Sequence, residues 1–272
     1  SPSYAVVGAV YMLMPALVAI LVQKFVDKQP LKKNLGISFR INKWFFVALI
    51  TPIILVLLSM GVSLCIPGVG FSASAEGYLS RIALTASGEE VESMRQQIAA
   101  FHPVVFFLMS IGQGIRAGCT INAFFALGEE LGWRGYMLRR LRRFPFMWVS
   151  LFTGFVWGLW HFPLILRGHN YPDHPVAGVF MMIVFCMLLS PVMSYIVLKS
   201  RSVITAAVFH GTMNAVAGFG TIYLVGGNDL SNGLTGYAGF IAIAQVRLGF
   251  SLYDKFVTKE NIFGTTVDRW LD

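Results

Sequence analysis

Two adjacent carboxylates at the end of an apolar segment are the first residues that could do chemistry. Glu129 and Glu130 follow the apolar run that ends at Gly128. On a helix Glu130 and Arg134 are four residues apart and can pair, whereas Glu129 points about 100° away from that partner. A carboxylate that lacks a cation in an apolar setting is suited to accept a proton from water. The alternative is that both glutamates mark the wet end of a membrane segment.

A histidine lies deep in a second apolar segment, Phe155 to Pro163. Trp157 precedes His161 by four residues, so an indole and an imidazole share one helix face. Pro163 frees backbone carbonyls beside them, because proline has no N–H to donate. His161 could hold and polarise a water molecule, and the alternative is a packing histidine with an ordinary hydrogen bond.

A third segment carries His210 and Asn214, again four residues apart and therefore on one helix face. Two hydrogen-bond donors directed at one point are what a developing oxyanion needs. The alternative is that both side chains form hydrogen bonds between helices, as Asn and His often do in membrane bundles.

These three places are best explained together. A polar group that is buried without a partner costs several kcal/mol, and three such costs on three different segments are all relieved if the groups share a cavity. We therefore expect Glu129, His161 and the pair His210 and Asn214 to surround one water-sized gap.

The elements that must position these residues are membrane helices. The chain has 272 residues, of which 56% are hydrophobic and 12% charged, against about 25% charged in soluble domains. Crossing a bilayer takes about 20 apolar residues. We predict an all-α, polytopic transmembrane helix bundle of about seven spans, or eight, forming a single integral membrane domain over residues 1–272 with a catalytic core at 104–225. The predicted spans are 4–23, 44–66, 104–128, 146–166, 176–198, 203–225 and 237–250.

The loop charges support this map and suggest an orientation. The net charge is +8, and basic loops at 24–43, 134–143 and 199–201 alternate with neutral or acidic ones. By the positive-inside rule the N-terminus is outside and the C-terminus cytoplasmic. The charge pattern favours membrane lipids as partners and gives no nucleic-acid signature. The polar stretch from Ser87 to Ala100 is expected to form a surface helix. The chain begins at Ser1 without a methionine, so a further helix ahead of it is an open alternative.

Metal binding is the less favoured chemistry. Three widely separated cysteines, Cys65, Cys119 and Cys186, argue against a disulfide framework or a zinc ribbon. Glu129, His161 and His210 could hold zinc in an open three-ligand site. However, there is no His-Glu-x-x-His motif and Asn is a poor zinc ligand, so we favour direct activation of water without a cofactor.

The three motifs together resemble one known family. Glu129-Glu130-x-x-x-Arg134, then Trp157-x-x-x-His161, then His210-x-x-x-Asn214 is similar to the CPBP (Abi-type) family. This family comprises the type II CAAX prenyl endopeptidases and bacterial relatives linked to bacteriocin processing and immunity. The resemblance spans residues 129–214, and Trp157 stands where the family often has Phe.

The resemblance implies a glutamate-dependent intramembrane endopeptidase that hydrolyses a peptide bond in a lipidated or hydrophobic peptide. It implies that Glu129 and His161 activate water and that His210 and Asn214 stabilise the oxyanion. Glu130, Arg134 and Trp157 would support them. The expected setting is a bacterial plasma membrane.

Two other functions stay open on sequence grounds. The same fold could serve as a non-catalytic immunity or scaffold protein that binds a peptide or membrane partner. Intramembrane Glu and His could also form the proton relay of a transporter, although no inverted repeat, which would support that, is visible.

Overall fold

The computed structural model describes residues 2–83 and 86–271, with side chains from residue 7 onward apart from Arg81. The predicted all-α class is confirmed in this part of the chain. The α-helices are α1 (Pro2–Leu21), α2 (Leu31–Asn34), α3 (Lys43–Ser63), α4 (Glu76–Ile82), α5 (Gly88–Ala99), α6 (Pro103–Cys119), α7 (Ile121–Glu130), α8 (Leu138–Arg140), α9 (Phe146–Trp160), α10 (Phe162–Ile165), α11 (Pro175–Ser200), α12 (Val203–Val216), α13 (Phe219–Ile222) and α14 (Tyr237–Leu252).

Three helices continue as π-helical segments, which are Val22–Val26 after α1, Leu131–Met137 after α7 and Tyr253–Thr258 after α14. Two 3₁₀ turns, Ile262–Gly264 and Val267–Trp270, complete the C-terminal region. π-helical turns often occur at functional sites, and the second one directly follows Glu130.

A short antiparallel sheet links two distant loops. β1 (Gly70–Phe71) pairs with β2 (Leu224–Val225), with Gly70 opposite Val225. The sheet ties the segment after α3 to the segment after α13, on the same side as α4 and α5. The predicted surface helix is confirmed as α5, which Ser87 caps through a reciprocal hydrogen-bond pair with Glu90.

The count of membrane-capable helices differs from the predicted seven. By length and composition, four helices of the described residues qualify, Val7–Val26, Lys43–Ser63, Pro175–Ser200 and Val203–Ile222. A fifth is added if α5 and α6, which meet at a bend of 104°, are counted as one broken span. These four helices make this an integral membrane protein.

The other predicted spans are divided or short, for local reasons. The segment 104–128 breaks at Thr120, which has φ −117° and ψ −101° and separates α6 from α7. In the segment 146–166, α9 ends after 15 residues at Trp160, because Pro163 cannot donate the next helical hydrogen bond. The segment 237–250 forms the 16-residue helix α14 before its π-helical continuation. Sequence apolarity alone did not reveal these breaks.

Glycines set the close packing of α9 against α11. A Cβ on Gly154 would lie 2.5 Å from the carbonyl oxygen of Cys186, and one on Gly158 would lie 2.5 Å from Ile183 Cα. Small residues four apart let two membrane helices approach backbone to backbone. This contact fixes the C-terminal end of α9, which carries Trp157 and His161.

Similar contacts seat α7 between α12 and α1. A Cβ on Gly211 of α12 would lie 2.5 Å from the Ala123 nitrogen, and a Cβ on Gly128 of α7 would lie 2.5 Å from the Met12 carbonyl oxygen of α1. Asn122 Nδ2 also donates to the Gly211 carbonyl at 3.3 Å. The end of α7, with both glutamates, is thereby held against the helix that carries His210.

Candidate active site

One cavity collects the residues that the sequence singled out. Glu129 lies at the end of α7, Trp157 and His161 at the end of α9, and His210 and Asn214 on α12. All five line the same cavity of about 320 Å³. The spatial convergence expected from the sequence is therefore present, and the volume is enough for water and part of a substrate.

Two indole groups hold the Glu129 carboxylate. Trp157 Nε1 donates to Glu129 Oε2 at 2.7 Å, and Trp133 Nε1 donates to the same oxygen at 3.4 Å. The side chain is only 3% exposed. Within residues 2–83 and 86–271 no cation pairs with it, as the helix-face argument predicted.

Glu130 forms the predicted ion pair with Arg134. Arg134 Nη1 lies 3.0 Å from Glu130 Oε1 and 3.1 Å from Oε2, and both side chains are fully buried. Arg134 Nη2 donates to Ser190 Oγ at 3.0 Å, and the guanidinium carbon lies 4.5 Å from the centre of the Trp157 ring. The Arg134 guanidinium thus stacks on the same indole that donates to Glu129.

The direct contact of this ion pair is with His210. His210 Nδ1 lies 2.9 Å from Glu130 Oε1. Because a carboxylate only accepts hydrogen bonds, we assign the proton of this bond to Nδ1. Nε2 then makes no hydrogen bond with the described residues. It is an acceptor in the neutral ring and a donor in the imidazolium.

His161 presents a hydrogen-bond acceptor to the cavity. Its Nδ1 lies 2.8 Å from the Trp157 carbonyl oxygen, and since a carbonyl also only accepts, Nδ1 carries the proton. Nε2 of the neutral ring is then a free acceptor that can bind the hydrogen of a water molecule.

Asn214 completes the cavity wall at its open side. Its side chain is exposed and, among the described residues, makes no hydrogen bond. It is therefore free to donate from Nδ2 to a group that enters the cavity.

Sequence reasoning missed three residues around this site. Trp133 is four residues after Glu129, so the spacing argument that found Arg134 could have found it too. Ser190 of α11 and Tyr11 of α1 carried no signal in the sequence. The Tyr11 hydroxyl donates to the Trp160 carbonyl at 2.6 Å and its ring stacks on Trp160 at 4.3 Å, which places α1 across one side of the cavity.

The loop histidines have separate positions. His102 caps α6, where its Nδ1 accepts from the Val104 N–H at 3.4 Å. His174 Nδ1 lies 2.5 Å from Asp229 Oδ1. His169 lines the cavity.

The donor groups do not form a metal-ligand cluster in this arrangement. Among the described residues, no group of three or more His, Cys, Asp or Glu side chains is placed to hold a metal ion. The three cysteines are free thiols, in agreement with the sequence interpretation.

Fold and site together define a class: a helical membrane protein with a buried carboxylate, two histidines and an amide around one cavity. Residues 100–216 match the family model described as type II CAAX prenyl endopeptidase Rce1-like. CAAX prenyl protease 2 of Methanococcus maripaludis is 35% identical over 92 residues, which are 32% of this chain and 34% of that protein. The match spans about a third of that relative's length. Over residues 100–216 the chain is therefore similar to the type II CAAX prenyl endopeptidases, and these residues include Glu129, His161, His210 and Asn214.

Proposed function

We propose that this protein is an intramembrane endopeptidase that hydrolyses a peptide bond in a lipidated or hydrophobic peptide. The observation that carries the proposal is the shared cavity of Glu129, His161, His210 and Asn214. The similarity to a protein named CAAX prenyl protease 2 supports the reaction class.

Water activation is assigned to Glu129 and His161. The Glu129 carboxylate accepts a proton from water while His161 Nε2 accepts a hydrogen bond from the same molecule and orients it. The hydroxide so formed adds to the scissile carbonyl carbon. Glu129 then returns the proton to the leaving amine nitrogen, so that the C–N bond breaks to give a carboxylic acid and an amine.

Oxyanion stabilisation is assigned to His210 and Asn214. Asn214 Nδ2 donates directly, whereas His210 donates from Nε2 in its imidazolium form. In that form the positive charge of the His210 ring and the negative charge that develops on the carbonyl oxygen attract each other. Fixed donors of this kind contribute about 2.7–4 kcal/mol to such reactions.

A hydrophobic substrate is supported by a second feature next to the cavity. An apolar groove of about 410 Å³ runs between α1 and α9, and Trp160 lines both the groove and the cavity. The groove wall includes Met14, Val18, Trp133 and Phe152. An extended apolar chain lying there would place its attached peptide beside Trp160 and the cavity.

The proposed reaction uses no cofactor. If zinc takes part, the residues to hold it are Glu129, His161 and His210, and it would supply a metal-activated water. We further propose a bacterial plasma membrane location, with the N-terminus outside and the C-terminus cytoplasmic.

The test is cleavage of a peptide library, with and without C-terminal prenylation, by the purified protein in detergent. Wild type, Glu129→Gln and Glu89→Gln are compared, each with and without a chelator. Glu89 is an exposed carboxylate on α5 and serves as the matched control. We expect cleavage by wild type and Glu89→Gln that survives the chelator, and loss of cleavage in Glu129→Gln.

Other results would indicate a different mechanism or a different function. Loss of wild-type cleavage with the chelator, restored by zinc, would replace direct water activation by a zinc site. An absence of cleavage, together with a cellular phenotype that Glu129→Gln and His161→Ala leave intact, would indicate a binding or immunity protein. Coupled proton flux in vesicles would indicate a transporter.

A further inference from the structure

A second large cavity lies at the end of the bundle where α1 and α11 finish. This basic cleft has a volume of about 990 Å³ and is walled by residues from 23–40 and 136–143, with Arg201 and Leu271. Eight of its lining residues are Lys or Arg, and one, Asp27, is a carboxylate. The chain therefore brings four separate segments together around a strongly positive concave surface.

The one carboxylate of the basic cleft is already engaged. Asp27 Oδ2 accepts from the Tyr136 hydroxyl at 3.0 Å, and Asp27 Oδ1 pairs with Arg140 Nη2 at 3.4 Å. The remaining cations face each other, and like charges at short range repel. Such an arrangement favours the binding of an anion from outside.

Arg139 is the residue that distinguishes this cleft from ordinary solvated loops. Its side chain is half-buried, and its buried Nε has no hydrogen-bond partner in the part of the chain that the structure describes. Burial, and then the neighbouring Arg142, lower the pKa of the Arg139 guanidinium. A half-buried guanidinium whose buried Nε lacks a hydrogen bond is less stable than a paired one, because polar groups removed from water need partners.

The Arg139 guanidinium lies against the backbone at Gly36. Gly36 has φ +67°, which favours glycine, and a Cβ at Gly36 would collide with Arg139 Nη2. The Gly36 carbonyl in turn accepts from the Val203 N–H at 3.0 Å. The unpaired guanidinium thus lies against the backbone at Gly36, which leaves no room there for a Cβ.

We propose that the basic cleft binds a phosphate-bearing anion, with Arg139 as the anchoring residue at its base. A phosphate group matches the several cations and offers oxygens for the fork of guanidinium N–H groups. The same chemistry is presented by the headgroup of an anionic phospholipid and by a free inorganic phosphate, and the test separates these two sources.

The experiment measures the thermal unfolding midpoint of the full chain, because a ligand that binds only the folded state raises it. One arm titrates inorganic pyrophosphate into protein held in phosphatidylcholine nanodiscs. The other arm increases the fraction of phosphatidylglycerol in the nanodiscs. Wild type is compared with Arg139→Gln, with the exposed pair Lys33→Gln/Arg40→Gln, and with Lys255→Gln, which removes an exposed cation that does not line the cleft.

We expect a saturable rise of the midpoint in at least one arm, and a dissociation constant about tenfold higher in Arg139→Gln, as for loss of a charged hydrogen bond. A response to phosphatidylglycerol alone assigns a lipid headgroup, and a response to pyrophosphate alone assigns a soluble phosphate. The Lys33→Gln/Arg40→Gln variant gives the same comparison if Arg139→Gln does not fold.

Three results would overturn the proposal. The first is the absence of a response in both arms. The second is a loss in Lys255→Gln as large as in the cleft variants, which would show general attraction to a positive protein. The third is saturable binding of an acidic peptide, such as polyglutamate, with no response to either phosphate probe. None of these results bears on cleavage by Glu129, because that site is tested by its own assay.

Discussion

Trp157 Nε1 lies 2.7 Å from Glu129 Oε2, and this hydrogen bond organises the centre of the molecule. The Trp157 carbonyl also accepts from His161 Nδ1 at 2.8 Å. One tryptophan therefore orients both groups that are proposed to activate water. Its ring lies against the Arg134 guanidinium and, at 5.2 Å between ring centres, against His210.

Replacing this tryptophan by phenylalanine separates the hydrogen bond from the packing. We expect Trp157→Phe to lower kcat about tenfold or more with little change in KM, because a hydrogen bond to a charged group contributes about 1.5–3 kcal/mol. Steady-state cleavage kinetics provide the measurement. Trp133→Phe removes the longer 3.4 Å bond and should cost less. Equal rates for Trp157→Phe and wild type would show that the indole N–H does not assist Glu129.

Removing one member of the buried ion pair should destabilise the fold more than removing both. Arg134→Met leaves the Glu130 carboxylate fully buried with only His210 as partner, at a cost of about 3–5 kcal/mol. The double variant Glu130→Gln/Arg134→Met should recover part of this. Thermal unfolding in detergent gives the comparison.

A matched control for that experiment is Arg95→Met on α5. Arg95 pairs with Glu76 through an exposed contact, and exposed pairs contribute about 0–1 kcal/mol. A double variant that is as unstable as Arg134→Met would indicate that lost packing, not the uncompensated carboxylate, explains the cost.

The close approach of α9 and α11 gives a third prediction. Gly158→Ala brings a Cβ against the Ile183 backbone, which cannot yield as a side chain can. We expect a loss of about 1–3 kcal/mol and reduced cleavage, because Trp157 and His161 move with α9. Gly112→Ala on α6, where a Cβ meets nothing within 4 Å, should be neutral or stabilising by about 1 kcal/mol. Similar behaviour of both variants in thermal unfolding would contradict the packing argument.

Low pH should destabilise α4 and α5, the polar helices between α3 and α6. The Arg95 hydrogen bond lowers the pKa of Glu76, and the hydrogen bond from the Ser87 backbone lowers that of Glu90, both below an ordinary value of 4.5. Because the folded-state values are depressed, this stabilisation is fully present above pH 4.5 and is lost as pH falls through the lowered values.

Hydrogen exchange of α5 amides, expressed as protection factors, measures this loss. Protection should fall between about pH 6 and about pH 3, while α3 amides keep theirs. In Glu90→Gln the protection should already be reduced at the higher pH and change less on acidification. Equal protection of α5 at both pH values in wild type would show that these carboxylates do not stabilise the helix.

Orientation can be tested by cysteine labelling in a background with Cys65, Cys119 and Cys186 replaced by alanine. We expect Lys33→Cys, in a basic loop, to react with an impermeant maleimide only when the cytoplasmic side is open. Ser74→Cys lies in the loop between α3 and α4, which is predicted to be outside, and it should react from that side. The reverse pattern would invert the proposed topology, and wild-type-like cleavage by the alanine background serves as the control.

The sequence by itself determined the helical membrane class and which side chains of each motif share a helix face. Low charge and long apolar segments are properties of composition, and four-residue spacing fixes which side chains share a helix face whatever surrounds the helix. Glu130 and Arg134 pair for this reason, and so Glu129 was correctly predicted to lie apart from the cation. The capped helix after Ser87 was predictable for the same reason, since its signal is local.

Only the tertiary structure decided where the helices break and what lies between them. The break at Thr120 depends on packing that apolarity does not encode, so the predicted span 104–128 is divided between α6 and α7. Four or five helices of the described residues are membrane-capable by length and composition, against seven predicted spans. The bonds from Ser190 to Arg134 and from Glu130 to His210 join residues far apart in the chain. Those contacts exist because glycines let α7, α9, α11 and α12 approach closely. The distances between helices, which no single segment specifies, determine that the three motifs surround one cavity.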